Sequence, residues 1–461
     1  MTASALSDDG GSFYQAQQKV YPREVKGRYA RLRVVSVWAL LGLYYSIAWL
    51  QCNGRQAVLF DLPARKFYVF GLVLWPQDFI FLTALLILLA LSLFFFTALA
   101  GRLWCGYACP QTVWTETFLW MERFAEGDRS RRMKLDAAPW SVEKLARKSL
   151  KQLLWIAFAL WTGFTFVGYF TPIRDLAHDT LTASLVPTET FWVLFYGLAT
   201  YGNAGFLREQ VCKYMCPYAR FQSAMFDRDT LIITYDAARG EPRGSRRRGS
   251  DASAQGLGAC LDCQRCVQVC PTGIDIRKGL QYECIACAAC IDACDFIMDT
   301  MQYPRGLIRY ATQHALDHQR TRILRPRVWI YAGLLLALGT AFTVALTLRE
   351  PLGLDVIRDR NALYRLLPDG QVENVYDVKI LNESEQPHSF TVSVSGAARL
   401  SLDPLPATFA VPAGEVFPVG LRVRRPAYEP KGSQTIQFTV QAEDDSALKA
   451  TTQARFLAPT R

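Results

Sequence analysis

Long uncharged apolar runs alternate with polar, basic segments along the first three quarters of the chain. The runs lie at residues 34–51, 79–100, 153–171, 190–206 and 328–348. Each is close to the ~20 residues that a helix needs to cross about 30 Å of hydrocarbon. Five of them predict five membrane-crossing helices rather than the buried core helices of a soluble protein. The run at 190–206 is short and carries Gly197, Gly202 and Gly205. After residue 350 the pattern changes to short alternating stretches, at Val372–Leu381, Ser389–Ser395, Glu415–Val423 and Thr435–Ala442. Turn-forming residues separate them, so roughly 100 residues predict a β-sandwich. That region holds no cysteine, so nothing in it points to an immunoglobulin disulfide.

Charge sets an expected orientation. The chain has 461 residues, with 51 Lys and Arg against 41 Asp and Glu, a formal charge of +10. Lys and Arg number six in residues 1–33, ten in 101–152 and eighteen in 207–327, but only three in 52–78 and one in 172–189. Basic loops stay in the cytoplasm, which places 1–33, 101–152 and 207–327 there and leaves 349–461 outside. The basic excess is thereby accounted for, and no nucleic-acid surface is read from it. The polar, basic start reads as a cytoplasmic tail rather than a cleaved signal peptide. The expected organisation is a tail (1–33), a four-helix membrane region (34–206) with cytoplasmic loop 101–152, a cytoplasmic segment and linker (207–258), a cysteine-rich domain (259–327), a fifth span (328–348) and an outer β-sandwich (349–461). Within the Gly/Ser/Arg-rich stretch 237–258, Arg246, Arg247 and Arg248 read as a solvated, lipid-facing or topology-fixing cluster.

Cysteine spacing carries the chemistry. Cys260-x2-Cys263-x2-Cys266-x3-Cys270 is followed by Pro271, and the run recurs as Cys284-x2-Cys287-x2-Cys290-x3-Cys294. A cubane needs four thiolates around one centre. Three come from a short loop, and the fourth cysteine of each run serves the other cluster in two-cluster ferredoxins. Cys260, Cys263, Cys266 and Cys294 are therefore expected to bind one [4Fe–4S] cluster, and Cys270, Cys284, Cys287 and Cys290 the other. Two complete runs are far more specific than the paired knuckles of a zinc ribbon.

Two further pairs, Cys105-x3-Cys109-Pro110 and Cys212-x3-Cys216-Pro217, follow the second and fourth apolar runs as a weak internal repeat. In a helix, positions i and i+4 share a face, but the proline biases Cys109 and Cys216 toward a turn. Four thiolates suit Cu(I), zinc or an iron–sulfur centre, and also a dithiol relay. Cys52 stands alone and reads as structural. The four histidines, His178, His314, His318 and His388, lie outside the apolar runs, which argues against a membrane haem. His314 and His318 read as a solvated helix face. The sequence has no Walker loop, Rossmann fingerprint or nucleophile motif, so electrons are expected to pass through partners or quinone.

The order of these parts, with Asn53-Gly-Arg-Gln-Ala-Val-Leu-Phe-Asp-Leu-Pro-Ala-Arg-Lys-Phe67 and Trp75-Pro-Gln-Asp78, resembles the cytochrome c oxidase accessory protein family (CcoG, also called FixG or RdxA) over nearly the whole chain. The resemblance implies an α-helical membrane protein of about five transmembrane helices with a two-cluster ferredoxin-like insert and a C-terminal Ig-like β-sandwich. It implies a bacterial inner-membrane location, with the ferredoxin domain cytoplasmic and the C-terminal domain periplasmic. It further implies reduction of Cu(II) to Cu(I) for assembly of a cbb(3)-type oxidase, with Cys105, Cys109, Cys212 and Cys216 as redox or copper thiols. Copper chaperones or a transporter, oxidase subunits and membrane lipid would be the partners. Two other readings are a quinol-oxidising polyferredoxin-type protein and a non-enzymatic assembly scaffold. The electron donor, cluster potentials and oligomeric state are not legible in the sequence.

Overall fold

The computed structural model describes residues 19–248, 255–360, 362–384, 386–396, 399–405, 407–426 and 432–459. The expected tail up to residue 18 and the middle of the expected linker, 249–254, lie outside these. The chain forms two compact units. One holds Gln51 and the described residues before it together with Leu86–Ala337; the other holds Cys52–Leu85 with the described residues from Leu338 onward.

The helices in chain order are α1 (Arg28–Ile47), α2 (Phe79–Ala100), α3 (Leu103–Tyr107), α4 (Pro110–Glu126), α5 (Arg129–Ala137), α6 (Val142–Val167), α7 (Ile173–Leu181), α8 (Pro187–Thr200), α9 (Pro217–Ala224), α10 (Ala237–Gly240), α11 (Arg265–Gln268), α12 (Ala289–Met301), α13 (Gln313–Leu316) and α14 (Pro326–Thr347). Among the described residues three helical stretches are long and apolar enough to cross a membrane: Pro76–Ala100, Val142–Val167 and Pro326–Thr347. The first and third are apolar on nearly every side and almost wholly unburied, as a helix made to face hydrocarbon is. α6 starts eleven residues before its expected span because Ser141 caps it, its Oγ accepting the Lys144 N–H at 3.2 Å.

The other two expected spans are helical but fall short of that standard. α1 carries Arg28, Arg31 and Arg33 in its first turns. α8 has 14 residues before the backbone widens into a π-helix over Tyr201–Leu207. Such widened turns recur at functional positions. This one ends at Arg208, a non-glycine residue held at φ +41°. α6 and α8 cross at glycine: a Cβ on Gly163 would meet the Val193 carbonyl at 2.4 Å.

The ferredoxin-like part begins earlier than the expected boundary at residue 259. Ile232–Tyr235 pairs antiparallel with Ile308–Ala311, Ile232 opposite Ala311, so the two ends of the cysteine-bearing stretch are tied by one ribbon. The described part of the expected linker is also ordered against it. The Gly244 N–H donates to the Cys260 carbonyl and the Gly258 N–H to the Pro242 carbonyl. Arg246, expected to be solvated, donates to the Tyr303 hydroxyl and the Gly258 carbonyl and lies over the Tyr303 ring.

The second unit contains the expected sandwich. One sheet orders Ser401–Asp403, Val416–Arg425, Val372–Asn382 and Leu352–Arg358, with Arg365–Leu366 paired at its edge. The other orders Thr408–Val411, His388–Gly396, Gln434–Ala442 and Lys449–Phe456. Alternate side chains point inward, so Tyr376, Val378, Ile380, Leu421, Phe438 and Phe456 are fully buried between the sheets. Residues 58–74 of this unit form a three-stranded meander.

Candidate metal centres

The two ferredoxin runs fold into matching loops. In each, the residues flanking the second cysteine take positive φ: Asp262 and Gln264 around Cys263, Ala286 and Ala288 around Cys287. Alanine rarely adopts this conformation, so its appearance at matched places marks a functional constraint. Left-handed residues turn successive N–H groups inward, the arrangement that cradles anions. The N–H groups of Ala286 and Ala289 accordingly approach the sulfurs of Cys284 and Cys287.

The sulfurs gather into two sets. Cys294 lies within electrostatic reach of Cys266, Cys260 and Cys263. Cys290 lies within reach of Cys287, Cys284 and Cys270, and also of Cys266. The last cysteine of each run thus stands with the first three of the other. Burial pushes the Cys294 and Cys284 thiols up to about 12 and Cys266 to about 11. Neutral thiols are therefore favoured in the metal-free protein, and metal binding must displace their protons. Among the described residues Cys263 is the one exposed cysteine, while Cys260, Cys266 and Cys287 are buried. Arg277 braces the first loop by pairing with Asp262 at 2.5 Å and Asp275 at 2.7 Å.

The Cys-x3-Cys-Pro pairs resolve as turns rather than shared helix faces. Cys109 and Cys216 have extended backbones (ψ 127° and 108°) and each is the N-cap of a helix whose first residue is the proline, α4 and α9. The Gln111 and Thr112 N–H groups approach the Cys109 sulfur. The pairs are interlocked. Cys105 Sγ stands 3.3 Å from Gln222 Oε1 on α9, and Gln111 Nε2 on α4 donates to the carbonyls of Asn203 and Arg208, just ahead of Cys212. Burial raises Cys105 to about 11 and Cys212 to about 12; the neighbouring sulfurs of the two pairs add to this, and Arg102 opposes it.

This thiol group abuts the second ferredoxin loop. Cys105 and Cys212 pack on an apolar cluster that includes Val269, Ile285 and Cys287. A Cβ on Gly106 would lie 2.7 Å from the Ile285 carbonyl oxygen and 2.9 Å from the Cys287 Cα. Buried Arg102 donates to the carbonyls of Tyr282 and Ala219, and reaches that of Cys284 at 3.4 Å. One guanidinium thus joins the first pair, α9 and the ferredoxin loop. Arg102, Gly106, Gln111 and Gln222 were not singled out from the sequence. The available signal was an arginine three or four residues before the first cysteine of each pair, Arg102 and Arg208.

Among the described residues no three His, Cys, Asp or Glu side chains close on one metal-ion position. His314, expected on a solvated face, instead pairs with Asp229 at 2.8 Å and is largely covered. His178 is exposed beside Asp179.

Matched cysteine loops on a tied ribbon define an iron–sulfur electron-transfer protein, and comparison with known proteins agrees. A family described as a 4Fe-4S dicluster domain matches residues 207–313, and one described as a 4Fe-4S binding domain matches 81–131. Residues 342–459 match the IG-like fold at the C-terminus of FixG. The nitrogen fixation protein FixG of Rhizobium meliloti is 38% identical over 90% of this chain and 84% of its own length. Protein RdxB of Cereibacter sphaeroides is 42% identical over 88% of each chain, and Protein RdxA of the same organism 40% over 84% of each. The chain belongs to the FixG/RdxA/RdxB family.

Proposed function

We propose that this protein is anchored in the bacterial inner membrane and delivers electrons to Cu(II), supplying Cu(I) for assembly of a cbb(3)-type oxidase. Cys260, Cys263, Cys266 and Cys294 hold one [4Fe–4S] cluster, and Cys270, Cys284, Cys287 and Cys290 the other. Bound there, such clusters supply low-potential one-electron transfer. The chain itself gathers the eight cysteines in one folded stretch, shields most of them from water and leaves Cys263 at the surface, facing a cytoplasmic donor. The thiols of Cys105, Cys109, Cys212 and Cys216, at the membrane edge, face copper, and the C-terminal sandwich lies in the periplasm.

The observation that carries this reading is the seating of Gly106 on the Cys287 backbone. It puts a second redox-capable thiol group directly against a cluster-binding loop, at the end of an apolar helix. Thiolates favour Cu(I) over Cu(II), and reduction leaves the ion exchangeable with soft-ligand carriers.

The test uses anaerobically purified protein in detergent, reduced with dithionite and then freed of it. Cu(II) is added, and Cu(I) is trapped with a chromogenic chelator while the iron–sulfur absorption is followed. Cluster oxidation matched by Cu(I) formed is the expected result. Undiminished Cu(II) reduction with serine at Cys105, Cys109, Cys212 and Cys216 would sink the thiol step.

A second reading, quinol oxidation, draws on a cavity of about 290 Å³ lined by Glu122, Lys151, Trp155, Phe206, Arg208 and Glu209. Aromatic walls with adjoining carboxylates suit a ring that releases protons. Cluster reduction by a soluble quinol analogue, with no response to copper, would favour it.

A further inference from the structure

We propose that Cys105, Cys109, Cys212 and Cys216 together hold a third [4Fe–4S] cluster, assembled across the two Cys-x3-Cys-Pro repeats. The inference concerns the same thiols that face copper in the reading above, and it stands whether or not copper is the acceptor.

The first argument is the count of ligands. Residues 81–131 match a family described as a 4Fe-4S binding domain. That segment contains only two cysteines, Cys105 and Cys109, and no histidine. A [4Fe–4S] cubane takes four protein ligands, ordinarily thiolates. The fold brings up the missing pair from about a hundred residues further along. Gln222, on the helix that Cys216 caps, reaches Cys105. Gln111, on the helix that Cys109 caps, reaches the backbone just before Cys212. Each pair is held by the helix that follows the other, so the four-sulfur group is built by the repeat.

The second argument is the chemistry of the surroundings. All four cysteines are free of disulfide partners. Main-chain N–H groups approach the Cys109 sulfur, as others approach Cys284 and Cys287 in the ferredoxin loop. A tetrathiolate cubane carries net negative charge and needs donors and a cation close by, since an uncompensated buried charge is costly. Two helix N-termini and the 3%-exposed Arg102 guanidinium supply them here. A single metal ion would draw the four sulfurs onto one point, whereas a cubane holds them apart at its corners. The site adjoins the second ferredoxin loop through Gly106, so the third centre would stand beside that loop.

Iron analysis of the full chain, purified anaerobically in detergent, is the test. It is joined to electron paramagnetic resonance after dithionite reduction. About twelve irons per chain are expected, against about eight for two clusters alone. C105S/C212S should lose about four irons and one reduced-cluster signal, and keep the two ferredoxin signals as evidence that the rest is folded. About eight irons in the unaltered protein, with zinc or copper or nothing at these thiols, would overturn the proposal without need of any variant. Cu(II) reduction read on the same sample separates the two ideas. Twelve irons with no Cu(I) formed removes the copper reading and keeps the third cluster. Eight irons with Cu(I) formed does the reverse.

Discussion

The carboxylate of Asp292 accepts the backbone N–H of Ala30 at 2.7 Å, and its other oxygen accepts that of Tyr29 at 3.2 Å. Asp292 sits on α12 between Cys290 and Cys294. The ferredoxin helix thus caps the first apolar helix, whose own residue at the cap position, Gly27, has no side chain to offer. A Cβ on Gly27 would lie 2.3 Å from the Asp292 carboxyl carbon. Asp292→Ala should lower stability by about 0.5–2 kcal/mol, the usual value of a helix cap, and Asp292→Asn should recover most of it. Thermal unfolding of the detergent-solubilised protein reads both. Equal melting of all three proteins would show that the cap contributes nothing.

Gly106 and Gly202 make a matched comparison. A methyl at Gly106 runs into the backbone of Ile285 and Cys287, while nothing lies within 4 Å of one at Gly202. Backbone cannot step aside as a flexible side chain can, so Gly106→Ala should part the two thiol groups and lower bound iron. Gly202→Ala should retain the unaltered iron content. Iron-to-protein ratios of the two variants decide it.

Arg102 has no shorter substitute. Its guanidinium serves three carbonyls on two separate segments, the ferredoxin loop and α9, and a lysine ammonium lacks that planar fork. Arg102→Lys should destabilise by about 1–3 kcal/mol, because buried acceptors lose their donor. It should also speed loss of iron to a chelator, measured as a bleaching rate.

Glu122 is fully buried between Arg132 at 3.2 Å and Arg208 at 2.8 Å. Burial works against its charge, but the two guanidinium groups overcome that and hold the carboxyl below its usual range. Glu122→Leu leaves two cations buried together and should cost about 3–5 kcal/mol. Loss of folded protein in fluorescence-detected gel filtration would register it. A variant as stable as the parent would mean that water reaches these arginines.

In the sandwich, Asn382 is fully buried, and its amide donates to the carbonyls of Gln386, Val411 and Pro412 while its oxygen accepts from Ser384. Asn382→Ala should lower stability by about 1–3 kcal/mol for the acceptors left unpaired. The loss should register in thermal unfolding of the full chain, with iron content unchanged.

Local pattern was enough for much of this protein. The strand expected at Val372–Leu381 is found at Val372–Asn382, and that at Thr435–Ala442 at Gln434–Ala442. A two-residue period is a property of the strand itself, and burial of one face reads it out. The 4Fe-4S dicluster domain was legible in the two cysteine runs for a like reason: residues that wrap one centre in a short loop sit close in sequence. Spans were less legible. Apolarity marked 190–206, yet its backbone leaves the α-helix at Tyr201, where glycines and packing against Trp155 govern its path.

Only the tertiary structure could decide what depends on separated segments meeting. No spacing told whether Cys109 and Cys216 lie on helices or cap them, nor that the two pairs form one group. Arg102 looked like any basic residue at a helix end until Ala219, Tyr282 and Cys284 met around it. The ordering of Arg246 over Tyr303 and of His314 against Asp229 is of the same kind. Periodicity and motif spacing are set by neighbours along the chain. Hydrogen bonds, ion pairs and shared metal sites are set by neighbours in space, and the fold alone supplies those.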